Sequence, residues 1–157
     1  MTEKEISSVV NAVMDAMPAV SISLENANRL IDAVKAKAKE MGVKAVVAVS
    51  DAHTNPISVQ CMEDSYIASY DIAVNKAFTV TSLKMSTSVL KPLATPGGSL
   101  YGIQFTNQGK IVIFGGGEPL YDKKGRVSGG LGVSGGSEEQ DTELAKYGAK
   151  WYSENLL

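Results

Sequence analysis

"GGLGVSGGSEEQD", residues 129–141, holds Gly130, Gly132 and Gly135 in the spacing G-x-G-x-x-G, the fingerprint of a dinucleotide-binding turn. That fingerprint works only where a strand, the glycine turn and a helix open a parallel βαβ unit, with an acidic residue about twenty positions further on. Here the helical segment that follows, residues 137–157, is the last element of the sequence and has no strand behind it. The crossover cannot form, so the glycines predict a strand that kinks or that lets another backbone or a ligand approach closely. Gly135 and Gly136 differ, because the helix start behind them has free N–H groups that can attract a small anion. Gly132 to Gly136 also spell G-x-S-x-G around Ser134. The sole histidine lies upstream, against the chain order of a hydrolase triad, so no nucleophile elbow is expected.

Working outward, Ser137 and Gln140 have capping-box spacing, and the closing helix runs through Leu144, Tyr147, Gly148 and Trp151. Upstream, "NQGK" (107–110) and "DKKG" (122–125) are turn signals that predict strands near 110–114 and 126–134. From Tyr66 to about Lys84 the period is helical, and a short helical piece is expected from Ser86 to Leu90. "VKAVVAVS" (43–50) is a β-branched strand, and "DAHTNP" turns it into a second strand from Ile57 to Met62. A helix begins after Ser23, carries Leu24, Ala27, Leu30, Ile31, Val34 and Ala38 on one face, and stops at Gly42. Residues 3–17 place Ile6, Val9, Val10, Val13, Met14 and Met17 on one helical stripe that Pro18 ends. The order predicts an α/β (α+β) domain, an antiparallel sheet covered by helices.

A chain of 157 residues with 44% apolar content buries one core. Fifteen basic and seventeen acidic residues are spread without a basic, aromatic-laced groove, so no nucleic-acid partner is expected. Apolar runs are too short to span a membrane, and "MTEKEISSVV" lacks the features of a secretory signal. The expected location is cytoplasmic. With one cysteine, Cys61, and one histidine, His53, neither an internal disulfide nor a zinc site of several Cys and His ligands can form.

Five segments in order, "AVVAVSDAHTNPI", "SYDIAVNKAFTVTSLKMST", "PGGSLYGI", "IFGGGEPL" and "VSGGLGVSGGSEEQD", resemble the GlcG/HbpS family, which includes the C-terminal domain of PduO-type cobalamin adenosyltransferases. The resemblance implies a profilin-like α/β/α sandwich with an antiparallel sheet of about five strands, assembled as a homo-oligomer. Family members are described as haem-binding or haem-degrading, and some accompany the catabolism of glycolate, propanediol or ethanolamine. No catalytic set transfers. The matching positions are Asp51, Lys76, Gly97, Gly98, Tyr101, Gly115, Gly116, Gly117, Glu118 and Pro119. Family hairpins often carry glycine where this chain has Thr54.

His53 is the candidate axial ligand of a haem iron, since imidazole binds that metal and the chain has no second histidine. The plainer reading is an exposed turn residue. Met62, Met85, Cys61, Tyr66 and Tyr101 are reserve ligands, although such residues more often serve packing. Lys76 can bury its stem and offer its ammonium to a haem propionate or small organic acid, or else to Asp71 or Glu118. Gly115, Gly116 and Gly117 before Glu118 read as an anion nest or as a bulge. The glycines at 97–98, 115–117 and 129–136 are expected to converge on one pocket.

The expected organisation is an amphipathic helix over residues 1–18 and a GlcG/HbpS-like domain over 19–157. The helix resembles the peptides that direct enzymes into bacterial microcompartments, and residues 3–17 would then meet a shell or cargo partner. Alternatively it packs on its own domain or on a neighbouring subunit. The first functional reading is a small-ligand-binding accessory protein, with haem or a related tetrapyrrole as cofactor, linked to a catabolic pathway. Two alternatives stay open. One is an enzyme acting on a small hydroxy acid, an aldehyde or haem through Lys76, Glu118 and Tyr101; the other is a structural cargo-assembly protein without ligand.

Overall fold

Residues 1–157 are all described by a computed structural model. In chain order it has α1 (Glu3–Ala16), α2 (Leu24–Glu40), β1 (Val46–Asp51), β2 (Pro56–Cys61), α3 (Ile67–Leu83), α4 (Thr87–Ala94), two single 3₁₀ turns, β3 (Gly117–Tyr121), β4 (Val127–Ser134) and α5 (Glu138–Asn155). The strands form one antiparallel sheet in the order β2-β1-β4-β3. The α/β sandwich matches the expected class, with four strands where about five were anticipated.

The strand expected at residues 110–114 is displaced along the chain, and the backbone there shows why. Val112 donates its N–H to Thr79 Oγ1 at 2.9 Å, and the same hydroxyl reaches the Lys110 carbonyl at 3.2 Å. Ile111 is buried with Leu90 and Ala94. One threonine on α3 thus serves the polar groups that a ladder would otherwise pair, and the strand forms later, over Gly117–Tyr121.

Side chains alternate across the sheet, as strand geometry requires. Val47, Val49, Leu131 and Val133 point to one face and pack with Leu30, Ile31, Val34 and Leu144 of α2 and α5. On the other face Val46 and Ala48 meet Ala73 and Ala77 of α3. The glycines of β4 sit on that second face. A Cβ on Gly132 would collide with the Ala73 carbonyl and lie 2.8 Å from the Ala77 nitrogen, and one on Gly130 would strike the Ala77 carbonyl. The G-x-G of the opening motif therefore lets the backbone of α3 approach β4.

The caps behave as their sequences predict. Ser137 accepts from the Gln140 N–H at 3.2 Å while the Gln140 side chain accepts from the Ser137 N–H at 2.9 Å, closing a capping box on α5. Ser23 accepts from the Asn26 N–H at the start of α2. α1 has its own capping box, between Thr2 and Glu5, yet none of its residues is buried. No helix is long and apolar enough to cross a membrane.

Candidate functional site

The β1–β2 turn is organised by Asp51. Its Oδ1 accepts from the His53 N–H at 2.8 Å and the Asn55 N–H at 2.9 Å, and its Oδ2 accepts from the Asn55 side-chain amide at 3.0 Å. Burial pushes the Asp51 carboxyl up, but these hydrogen bonds outweigh it and hold the group below its ordinary value. Thr54 has φ 71°, the left-handed conformation that glycine adopts without cost. The turn presents His53 to a cavity of about 540 Å³, whose wall includes Thr81, Lys84, Tyr121 and Arg126 with Ala52 and Val127. No carboxylate lines it.

The two cations of this cavity differ. Arg126 is engaged: its Nε and a terminal nitrogen meet Asp122 Oδ2 at 2.9 and 2.8 Å, and its other terminal nitrogen donates to the Met17 carbonyl. That last bond fastens the end of α1 to the cavity rim, as does the 2.7 Å contact between Lys124 and Asp15. Lys84 forms the C-cap of α3 in a left-handed conformation, φ 55° and ψ 36°, and its ammonium is absent from every ion pair and side-chain hydrogen bond of the protein.

Lys76 lies elsewhere and is the largest fully buried side chain. Its Nζ donates to the Val133 carbonyl at 2.7 Å and to Asp141 Oδ2 at 3.1 Å, and stands 5.0 Å from the centre of the Phe114 ring. Asp141 completes its shell with the Gly136 N–H at 2.9 Å. Burial pulls the Lys76 ammonium below its ordinary value and pushes the Asp141 carboxyl above its own, while each partner opposes the shift of the other. The expected partners, Asp71 and Glu118, are not used. Asp71 takes the Asn75 amide at 3.1 Å, and Glu118 lies on a strand next to Gly117, whose own Cβ direction faces α3.

"FGGGE" wraps the lysine. A Cβ on Gly116 would stand 2.5 Å from Lys76 Nζ, and one on Gly117 would press on Val80 and Thr87. Two of the three N–H groups that could make an anion nest have internal partners: Gly115 donates to Glu138 Oε1 and Gly117 to Thr87 Oγ1, both at 2.9 Å. Glu138 also takes Lys91 at 2.6 Å, and these bonds hold its carboxyl below the ordinary value. A second cavity, of about 340 Å³, opens beside this network between Tyr66, Ser69, Phe114, Ser134, Glu138 and Asp141.

The structure thus brings Lys76, Gly115, Gly116 and Gly117 together and leaves His53 apart. Asp51, at the His53 turn, pairs with Gly129, whereas Lys76 reaches Val133, four residues or about 13 Å along β4. Gly97 and Gly98 form a separate turn after α4, where Gly98 donates to the Thr95 carbonyl and has the Leu93 backbone against it. Tyr101 closes that turn with its N–H on the Gly98 carbonyl, and its side chain is exposed. Glu118 is half-buried, and burial pushes its carboxyl up against the pull of Lys146. Sequence reasoning missed Asp141, Lys84 and Arg126. Asp141 is 65 residues from its lysine, and its only local signal is an acid in the first turn of a helix. Lys84 had one, a helix ending at a lysine where a glycine cap is usual.

Comparison with known proteins agrees with this architecture. The family model described as "Haem degrading protein HbpS-like" matches residues 22–150. The chain is 44% identical over 134 residues to an uncharacterized 15.0 kDa protein in the dhaT-dhaS intergenic region of Citrobacter freundii, covering 85% of this chain and 94% of that protein. It is 38% identical over 129 residues to the corrinoid adenosyltransferase PduO of Citrobacter freundii, covering 82% of this chain and 38% of PduO. The crystal structure of a PduOC–haem complex superposes with a TM-score of 0.79 at 37% identity, over 83% of this chain and 94% of that one. The sandwich, the glycine-packed sheet and these matches together show that the chain belongs to the HbpS-like family.

Proposed function

We propose that this protein is a small-ligand-binding accessory protein that takes haem or a related tetrapyrrole in the cavity beside His53. One observation carries the reading: the only imidazole of the chain opens into a cavity that holds two cations, no carboxylate and an apolar wall. Haem supplies an iron that accepts an imidazole nitrogen and an apolar macrocycle edged by acids. The residues present fit that group, with His53 as the ligand and Lys84, Arg126 and Tyr121 around it. The family description and the PduOC–haem complex support the choice. The turn of Gly97, Gly98 and Tyr101 and the half-buried Glu118 are further contact points for the ligand, while Lys76, packed under Gly116, is held inside the fold by Asp141 and the Val133 carbonyl.

Haemin titrated into the purified protein should give saturable one-site binding, with a Soret band that changes in His53→Ala. Unsaturable binding that ignores the substitution would remove haem from the account.

The same reading makes the protein a homo-oligomer that serves a catabolic pathway, docked through α1 on a microcompartment shell or cargo protein. What supports α1 as a docking element is its surface. Ile6, Val9, Val10, Val13, Met14 and Met17 form one stripe and are each 46–57% exposed, and the family match begins only at residue 22. Deleting residues 1–17 should abolish co-purification with shells and leave the oligomer mass by light scattering unchanged. A loss of the oligomer instead would place α1 in the subunit interface.

A further inference from the structure

The cavity beside His53 contains one charge that nothing in the protein uses. Arg126 has Asp122 and the Met17 carbonyl, and the neighbouring Lys124 has Asp15. Lys84 faces the same space with no acid beside it. Its backbone is also in the one conformation that an L-residue adopts at a cost and glycine adopts freely. Lys84 is an exposed lysine in a backbone conformation that suits glycine, it lines an acid-free cavity, and no counter-charge of the protein meets it.

We propose that Lys84 is the counter-cation for a carboxylate of the bound ligand, and that this contact makes the cavity select acids over their neutral esters. The inference rests on the reading of the His53 cavity as the ligand site and adds the chemical class that the site discriminates. Arg126 is a positioning residue here. Its bonds to Asp122 and Met17 fix the rim against which the ligand lies, and they leave the directional donor role to Lys84. The second cavity makes the contrast: Glu138 and Asp141 line it and no lysine or arginine does, so a carboxylate would be repelled there. The shared chemistry is a carboxylate, whether it belongs to a haem propionate or to a free organic acid.

The test compares haemin with haemin dimethyl ester, which keeps the iron and macrocycle and loses both acids, on the wild type, Lys84→Gly and Lys84→Arg. The wild type should bind haemin about fivefold tighter than the ester, the size of a partly exposed ion pair. Lys84→Gly should bind both with equal affinity while its Tm rises by about 2–4 °C, because the left-handed cap is relieved. Lys84→Arg should keep the preference. Because the preference is a ratio measured within each protein, a general change in affinity cannot imitate its loss. A preference that survives in Lys84→Gly overturns the inference and leaves the haem reading intact. If haemin shows no saturable binding, the haem reading fails, and the inference is then decided by chemical-shift titration with benzoate. Saturable shifts at His53 and Thr81 that vanish in Lys84→Gly uphold it, and shifts that are absent or unchanged sink it.

Discussion

Toward α2 and α5 the sheet presents Val47, Val49, Leu131 and Val133 to an apolar core. Toward α3 the same strands present Ser50, Gly130, Gly132 and Ser134. Ser50 Oγ lies 2.9 Å from Thr81 Oγ1, Ser134 donates to Ser69 at 3.0 Å, and Lys76 is sealed in with Asp141. The first face is held by shape and area, whereas the second is held by close backbone approach and by polar groups that must each find a partner. Stability on the apolar face is therefore forgiving, and on the α3 face it depends on single atoms. Both cavities open beside the second kind of packing.

The ion pair should give the largest difference. Asp141→Ala leaves Lys76 buried with only the Val133 carbonyl, and a loss of about 3–5 kcal/mol is expected from urea unfolding. The double variant Lys76→Met with Asp141→Leu should recover most of it, because an apolar replacement of a buried pair is often neutral. A double variant as unstable as the single one would show that the α3 face depends on this pair for its geometry and not only for its charge balance. Gly132→Ala comes next. Its new methyl group meets the Ala73 carbonyl, which cannot move without α3, and a loss of about 3 kcal/mol or more is expected. Leu131→Met, one residue away on the apolar face, should cost less than about 1.5 kcal/mol. Equal costs at the two positions would erase the distinction between the faces.

How legible each face was in the sequence follows from the same difference. The apolar face announces itself by period: Ala27, Leu30, Ile31, Val34 and Ala38 mark α2, and the β-branched run marks β1. The caps at Ser23 and Ser137 are local signals and were readable for that reason. On the α3 face the helix itself has a readable period, but the strand residues that meet it do not. The glycines among them matched a dinucleotide motif, and only the position of the last helix showed that they serve packing. Asp141 could not be paired with Lys76 because nothing local links residues so distant, and strand 110–114 failed because Thr79, on another element, takes its backbone groups.

Thr54 tests the hairpin that carries His53. Its left-handed φ of 71° is a conformation that glycine adopts without cost, and Thr54→Gly should raise stability by about 1 kcal/mol in thermal unfolding. The gain is small, and it is informative because it falls at the rim of the proposed site. If stability falls instead, the threonine side chain holds the turn through a contact that outweighs its backbone cost.

Glu118 should show the smallest effect and the clearest pH signature. It is a half-buried carboxyl with no hydrogen-bond partner, raised above its ordinary value by burial, which Lys146 only partly offsets. A carboxyl raised in the folded state binds its proton more tightly there than in the unfolded chain. Its contribution to stability is thus complete below the unfolded value, near 4.5, and is lost as pH rises through the higher folded value. Glu118→Gln carries no titrating group, so relative to it the wild type should lose stability over that acidic window and remain less stable at neutral pH. The difference should stay within about 1 kcal/mol, because the group is only partly shielded from water. Urea midpoints at matched pH values for the two proteins measure it. Curves that run parallel from pH 4 to pH 7 would mean that Glu118 is as solvated in the folded protein as in the unfolded one.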